Sequence, residues 1–371
     1  MSATSPRRVR HSFAAACGAL ALSACASTTG GVVDADGAQP IGQPGIANSG
    51  VRPTAQNQAI LDALTMRLNL RPYHTLTPQD ARQQPSFADG VKEVLRQQGR
   101  PTTPPPGVTT RDIQVQGAAG PLHARVYTPT GARGPLPVIV YFHGGGWVIA
   151  DSNVYDASTR ALAREGQAMV ISVDYRRAPE AKFPAQHEDA LASYRWALAN
   201  AARLGGDPSR IVLAGESAGG NLAVATAIAA RDAGLQAPVH ILSIYPIAGS
   251  DLNTPSYQDN ANALPLNRAA MAWFLHHTTR TPADAMDPRI NLVMANLQGL
   301  APTTIIAAEI DPLKSEGEVL TQRLRAAGVR VERREFARAT HEFFGADAVM
   351  TEAQQAQRYA GQRLRAALGA R

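Results

Sequence analysis

From residue 111 onward, apolar strand-like runs alternate with stretches of helical periodicity, and this alternation restricts the fold more than any other feature. Strands are predicted at 113–116, 123–127, 138–142, 169–173, 211–214, 241–245, 304–308 and 329–336. Helices are predicted at about 155–166, 185–203, 218–233, 315–327 and 350–369, between most of the later strands. A strand that returns to its sheet through a helical crossover lies parallel to its neighbour, so repeated βαβ units imply a mostly parallel sheet. The continuous apolar runs at 138–142 and 211–214 suit strands buried on both faces. The first two strands precede any of these helices and are expected to form an antiparallel edge. The expected fold class is therefore α/β, with about eight strands and helices on both faces. An apolar fraction of 44% and a charged fraction of 18% suit a core of that size and exclude wholesale disorder.

Two segments fall outside the alternation. Ile60, Leu61, Leu64 and Leu68 recur at helical spacing and predict a helix over 56–69. Thr77-Pro78 has the pattern of an N-cap followed by proline at the first helical position, and a further helix is expected at 87–98. Four prolines within 101–106 then break the chain. Residues 56–106 are read as a helical cap segment and 107–371 as the α/β domain, interrupted at about 246–300 by an irregular insertion with one helix near 267–279.

The amino terminus reads as an address. Arg7, Arg8 and Arg10 precede an apolar stretch at 13–22, too short to span a bilayer about 30 Å thick but suited to a signal peptide. Leu22-Ser23-Ala24-Cys25 then resembles a bacterial lipobox, which implies cleavage before Cys25 and acylation of its thiol. Residues 1–24 are expected to be the signal, and 25–55, rich in Gly, Ser, Thr, Pro, Gln and Asn, a flexible tether. Ala26 in place of an Asp favours an outer-membrane lipoprotein facing the periplasm. Ala24-Cys25-Ala26 also fits an ordinary secretory cleavage site, which would leave the protein soluble. Cys17 and Cys25 are the only cysteines, so neither a disulfide nor a cysteine-based zinc site is expected in the domain. The net charge of +6 falls once the signal is removed, leaving 33 basic against 30 acidic residues. With the arginines scattered and no basic run, no nucleic-acid partner is expected.

Two strands end in glycine-rich strings. After 211–214 comes Gly215-Glu216-Ser217-Ala218-Gly219, G-x-S-x-G between a strand and a helix, the setting of a nucleophile elbow. After 138–142 comes His143-Gly144-Gly145-Gly146-Trp147, where backbone N–H groups can approach a developing oxyanion unobstructed. Gly145, Gly146 and Ala218 are the expected donors, with His143 bracing its loop. A serine hydroxyl needs a base and the base an orienting acid. Asp311 and His341 follow the last two strands in the chain order that α/β-hydrolases use. Glu309 lies at the end of its strand and Glu316 in the next helix, so both are weaker acid candidates. His240 opens a strand, and His276 and His277 lie on the insertion helix without a spaced metal partner.

These strings carry a family resemblance. The chain from about 111 to 369 resembles the bacterial hormone-sensitive-lipase-like esterases of the α/β-hydrolase fold, through the two glycine strings, Val173-Asp174-Tyr175-Arg176-Arg177-Ala178-Pro179-Glu180, Phe183-Pro184-Ala185, Tyr245-Pro246, Asp311-Pro312-Leu313 and His341. The resemblance implies a serine carboxylesterase with a Ser217-Asp311-His341 triad, no cofactor and no metal, acting on small-molecule esters of short to medium chain. It implies a cap from the N-terminal helices and the insertion, and an Asp174-Tyr175-Arg176 string that braces the oxyanion loop. The same triad would serve an amidase or a drug- or lactone-inactivating hydrolase, and relatives of this fold that bind ligands without turnover have lost a triad member. Trp147 and Tyr245 are candidate pocket walls, with a place in the buried core the stronger reading for Tyr245. Three residues depart from the family pattern: Glu216 for the usual Asp, Ser315 for a frequent acidic residue, and Glu342 for the usual Gly after the histidine. A carboxylate beside His341 would disfavour anionic substrates or raise the histidine pKa.

Overall fold

The computed structural model describes residues 50–369, so the predicted signal, Cys25 and most of the predicted tether lie outside the described residues. The chain begins with α1 (Ala55–Asp62), continued by a π turn over Ala63–Arg67, then α2 (Pro78–Arg82) and α3 (Phe87–Gln97). The alternating part follows: β1 (Val108–Gln116), β2 (Pro121–Pro129), β3 (Leu136–Phe142), α4 (Asp156–Gly166), β4 (Met169–Val173), α5 (Ala185–Asn200), β5 (Gly206–Glu216), α6 (Ala218–Asp232) and β6 (His240–Ile244). The insertion carries α7 (Pro255–Asp259) and α8 (Arg268–Thr278), before β7 (Thr303–Ile310), α9 (Lys314–Ala326), β8 (Val331–Thr340) and α10 (Thr351–Leu368).

The eight strands form one sheet in the order β1-β2-β4-β3-β5-β6-β7-β8. β1 pairs antiparallel with β2, and β2 with β4, which is the expected antiparallel edge. The remaining pairs are parallel. The two-residue period of a strand sends successive side chains to opposite layers. Val138, Val140 and Phe142 join the core beneath α5, α6 and α9, whereas Ile139 and Tyr141 join the one beneath α4 and α10. Several strands run further than their apolar runs predict. β8 continues past Phe336 because Arg338, at φ 57°, kinks the strand and lets Thr340 pair with Ile310 beyond the irregularity.

α2 starts on the expected signal, and α3 on a cap the sequence reading did not name. Thr77 caps α2 by accepting from the Asp80 N–H with Pro78 at the first position, and Ser86 and Asp89 form a reciprocal capping box on α3. The predicted 56–69 helix is interrupted. The Thr65 hydroxyl donates to the Leu61 carbonyl where the π turn forms, and such local bonds compete with the helical ladder. The two cap pieces meet where Trp273 Nε1 donates to the Leu76 carbonyl at 3.0 Å and Tyr73 stacks on Trp273. The Thr278 hydroxyl donates to the Gly146 carbonyl, which ties the insertion to the glycine loop. Ser256 and Ser315 exchange two bonds, and Glu316 accepts from the Ala248 N–H at 2.8 Å, so the insertion is also fastened to α9.

Asn57 is fully buried and makes a reciprocal pair with Thr340. Its Oδ1 accepts from the Thr340 N–H at 2.8 Å, and its Nδ2 donates to the Thr340 hydroxyl at 3.0 Å. The first helix thereby holds the end of β8, one residue before His341. Asn57→Ala leaves two buried polar groups of Thr340 without these partners, and each such group costs about 1–3 kcal/mol. Thermal unfolding of the variant should show a midpoint several degrees lower; an unchanged midpoint would refute the clamp.

Candidate active site

The site forms where β5 turns into α6. Ser217 occupies φ 56° and ψ −117°, a strained conformation for a residue with a side chain. The turn is possible because its flanks lack a Cβ. One added at Gly219 would overlap the Phe142 carbonyl, and one at Gly215 would overlap the Gly219 carbonyl. The sharp reversal lifts Ser217 Oγ off the sheet and aims the start of α6 beneath it.

His341 and Asp311 reach this hydroxyl from the ends of the last two strands. His341 Nε2 lies 3.0 Å from Ser217 Oγ, and its Nδ1 lies 2.7 Å from Asp311 Oδ2. Asp311 Oδ1 accepts from the Leu313 N–H at 2.8 Å, which fixes the carboxylate against rotation. All three are buried. Burial alone would lower the His341 pKa, but the charge and hydrogen bond of Asp311 outweigh it, and Glu342 and Glu216 push in the same direction. The imidazole is therefore held above its ordinary value.

The competitors lie elsewhere. Glu309 accepts from the Arg338 N–H at the strand irregularity, and Glu316 is committed to Ala248. His240 is buried on Thr304, and His277 packs edge-on to Trp273. Among the described residues no cluster of three or more potential metal ligands occurs.

The second glycine string lies alongside. Gly145 and Gly146 have φ of 93° and 56° and line the same cleft as Ser217. A Cβ at Gly146 would strike the Phe274 ring, and one at Gly145 the Ile149 carbonyl. Among the described residues the N–H groups of Gly145, Gly146 and Ala218 donate to no protein acceptor. Bracing comes from behind. Tyr175 stacks on His143 with ring centroids 4.3 Å apart and donates to the His143 carbonyl. Asp174 accepts from the Ser152 N–H and hydroxyl, and Arg176 grips Asp189 through two nitrogens. His143 is thus part of the loop's support, as the sequence suggests, with its pKa lowered by burial.

Trp147 and Tyr245 are not pocket walls. Trp147, at φ 63°, turns into the core beside His187, and the cleft is lined instead by Ile149 and Ala150 beyond it. Tyr245, at φ 33°, lies beneath His341 with ring centroids 4.7 Å apart, and its hydroxyl donates to Glu216 Oε2. Glu216 also accepts from Tyr141 at 2.6 Å, and burial pushes its pKa up to about 7 despite both donors.

The cleft above Ser217 encloses about 110 Å³. Its walls come from the cap: Tyr73 and Phe87 from the N-terminal segment, Leu266, Met271 and Phe274 from the insertion. Tyr155 and Glu342 complete it. None of the apolar and aromatic walls is marked by a motif; the only signal was their membership of segments read as caps. Glu342, noted as a departure, does reach the cleft. It sits at φ 71°, its Oε1 accepts from the Tyr155 hydroxyl at 2.7 Å, and the same oxygen lies 4.0 Å from His341 Nε2.

Only neutral His341 can take the Ser217 proton, so reactivity should climb with pH through a transition above the ordinary histidine range. Labelling of Ser217 by a phosphonylating reagent, followed by mass spectrometry across pH, should show that limb. In Glu342→Gln one of the groups raising the pKa is removed, and the limb should move to lower pH. A limb unmoved, or moved upward, would refute the coupling.

The sequence and fold have known counterparts. Residues 139–345 match the family model described as the alpha/beta hydrolase fold. Carboxylesterase NlhH of Mycobacterium tuberculosis is 42% identical over 255 residues, covering 66% of this chain and 79% of that protein. Ethyl acetate hydrolase of Pseudomonas putida is 31% identical over 288 residues, covering 76% of this chain and 88% of that protein. The solved esterase of Pyrobaculum calidifontis superposes with a TM-score of 0.73 at 34% identity, covering 79% of this chain and 94% of that one. With its sheet, its elbow and its glycine loop in the same order, the chain belongs to the α/β-hydrolase fold family, and within it to the hormone-sensitive-lipase-like esterases.

Proposed function

We propose that this protein is a serine carboxylesterase for small esters of short to medium chain, and that Ser217, His341 and Asp311 are its catalytic triad. The observation that carries this reading is the unbroken line from Ser217 Oγ to His341 to Asp311, at 3.0 and 2.7 Å, on the floor of a cleft. Ser217 attacks the ester carbonyl carbon while His341 Nε2 takes the hydroxyl proton. Asp311 holds the imidazole in the tautomer that leaves Nε2 free and stabilises the imidazolium that forms. The N–H groups of Gly145, Gly146 and Ala218 receive the oxyanion, and fixed donors of this kind are each worth about 10²–10³ in rate. The intermediate collapses as His341 returns the proton to the leaving alcohol. Water, activated by the same histidine, then releases the acid from Ser217. The confined cleft of about 110 Å³ favours short chains.

Ser217→Ala should abolish hydrolysis of p-nitrophenyl butyrate while leaving the fold intact by circular dichroism. Retained turnover would overturn the mechanism.

The same proposal places the enzyme on a membrane. Leu22-Ser23-Ala24-Cys25 supports processing to a lipoprotein acylated at Cys25, with the outer membrane favoured by Ala26. Two or more acyl chains, at about 0.8 kcal/mol per buried methylene, suffice for stable attachment. Cys25→Ser should move the protein from the membrane pellet to the soluble fraction, and a variant that remains in the pellet would refute the anchor.

A further inference from the structure

The carboxyl of Glu342 is placed where the leaving alcohol must pass. His341 Nε2 hands its proton to the leaving oxygen, so in the reacting complex that oxygen sits within hydrogen-bond reach of Nε2. Glu342 Oε1 is 4.0 Å from the same nitrogen and lines the same cleft. The atoms next to the leaving oxygen therefore lie against this carboxylate.

Aromatic rings surround it. Tyr155 donates its hydroxyl to Glu342 at 2.7 Å, and Phe87 borders both the main cleft and a cavity of about 20 Å³ that Glu342 and Tyr155 also line. Tyr73 is close enough that the Glu342 charge, after burial, is the second influence holding its phenol above the ordinary value. Phe274 meets Tyr73 with ring centroids 5.7 Å apart. Rings around a carboxylate in a confined cleft attract a cation through ring quadrupole and charge together.

Among the described residues no Lys or Arg side chain pairs with this carboxyl. Among the described residues the only ion-pair partner of Glu342 is His341. Arg82 and Arg177 also line the cleft, but Arg82 is committed to Glu180 and to the Val148 and Ala178 carbonyls, and Arg177 to the Ala150 carbonyl. Neither is among the influences on the Glu342 carboxyl, which burial and Asp311 raise above its ordinary value while His341 and Tyr155 lower it. The backbone adds an observation of its own. Glu342 holds φ 71°, where a residue with a Cβ is strained and glycine is not.

Resting on the carboxylesterase reading, we propose that Glu342, with Tyr73, Phe87 and Tyr155, selects esters whose alcohol carries a cationic nitrogen, an ammonium or quaternary ammonium group about two carbons from the ester oxygen. Glu342 is a specificity determinant on the leaving-group side. The acyl side of the cleft, towards Leu266 and Met271, remains apolar.

The test compares butyrylcholine with 3,3-dimethylbutyl butyrate, which has the same shape with carbon in place of the cationic nitrogen. The wild-type enzyme should show kcat/KM for the cationic ester about tenfold or more above the neutral one. In Glu342→Gln that ratio should fall towards one, chiefly through a higher KM for butyrylcholine. Equal or better use of the neutral ester by the wild type, or an undiminished ratio in the variant, would overturn the inference. Should the variant fail to fold, inhibition of wild-type p-nitrophenyl butyrate hydrolysis decides the matter. Choline should inhibit about fivefold or more better than 3,3-dimethylbutanol, and equal inhibition would overturn the proposal. A wild-type enzyme that hydrolyses p-nitrophenyl butyrate without preferring the cation defeats this inference alone. One that hydrolyses none of the esters defeats the carboxylesterase reading and this inference with it.

Discussion

The site depends on a close approach of backbones at the carboxyl ends of β3 and β5. Gly219, in the first turn of α6, lies so near the Phe142 and His143 carbonyls that no Cβ fits, and Gly215 is pressed against Gly219 in the same way. This crowding sets the depth of the elbow, and so the height of Ser217 Oγ above the sheet. It also sets the spacing between the elbow and the Gly144-Gly145-Gly146 loop, because that loop leaves the strand whose last carbonyl touches Gly219. Ser217 and the glycine loop are therefore positioned by one contact. The contact tolerates no side chain at 215 or 219, and it survives only because the strain at Ser217 is carried by a sheet buried on both faces.

A layer of buried polar groups supports His341 from below. Tyr141 and Tyr245 both donate to Glu216, and the Tyr245 ring lies against His341. On the cleft side Tyr155 donates to Glu342. A buried carboxyl is tolerable when its oxygens are occupied by donors, and phenols are donors that bring no competing charge. Asn57 adds a polar support of a different kind, a side chain from the cap that completes the backbone bonding at Thr340. The cap is thus fastened to the strand that presents His341, so its aromatic walls and the reacting histidine share one frame.

Ser217, Asp311, His341, Gly145 and Gly146 were legible because each sits at a strand end, in a string whose residue types the backbone itself demands. The alternation of strands and crossovers was legible for the same local reason, and the antiparallel edge followed from the absence of a helix between 113–116 and 123–127. The walls of the cleft were not legible. Tyr73, Phe87 and Phe274 face Ser217 only because contacts such as Trp273 to Leu76 and Thr278 to Gly146 seat the cap over the sheet. Those contacts join residues far apart in the chain, and no periodicity announces them. Trp147 misled through nearness in sequence to the glycine string, whereas Tyr245 is buried in the core as its stronger reading had it. Both have positive φ, and the backbone rotates them away from the cleft. The extension of β8 was hidden for a related reason: no apolar run continues past Phe336, and pairing resumes only beyond the kink at Arg338.

The two glutamates near His341 are best understood together. Glu216 accepts the Tyr245 hydroxyl and Glu342 lies beside Nε2, and each raises the pKa of the histidine. Left fully ionised with Asp311, they would crowd negative charge around one imidazole in a confined space. Burial raises both carboxyls, and Glu216 yields the further. Burial lifts its pKa to about 7, and the Glu342 charge acts in the same direction. In the proposed mechanism the histidine becomes imidazolium as Ser217 attacks, and that new charge favours ionisation of nearby carboxyls. Glu342 differs in facing the cleft, where it can also meet whatever the substrate brings. A carboxylate in that position stabilises the imidazolium and penalises an anion in the leaving group through the same Coulomb attraction and repulsion. Its basicity effect on His341 and its selectivity therefore cannot be separated by removing the charge alone. They are separated by changing the charge of the alcohol while leaving the enzyme as it is.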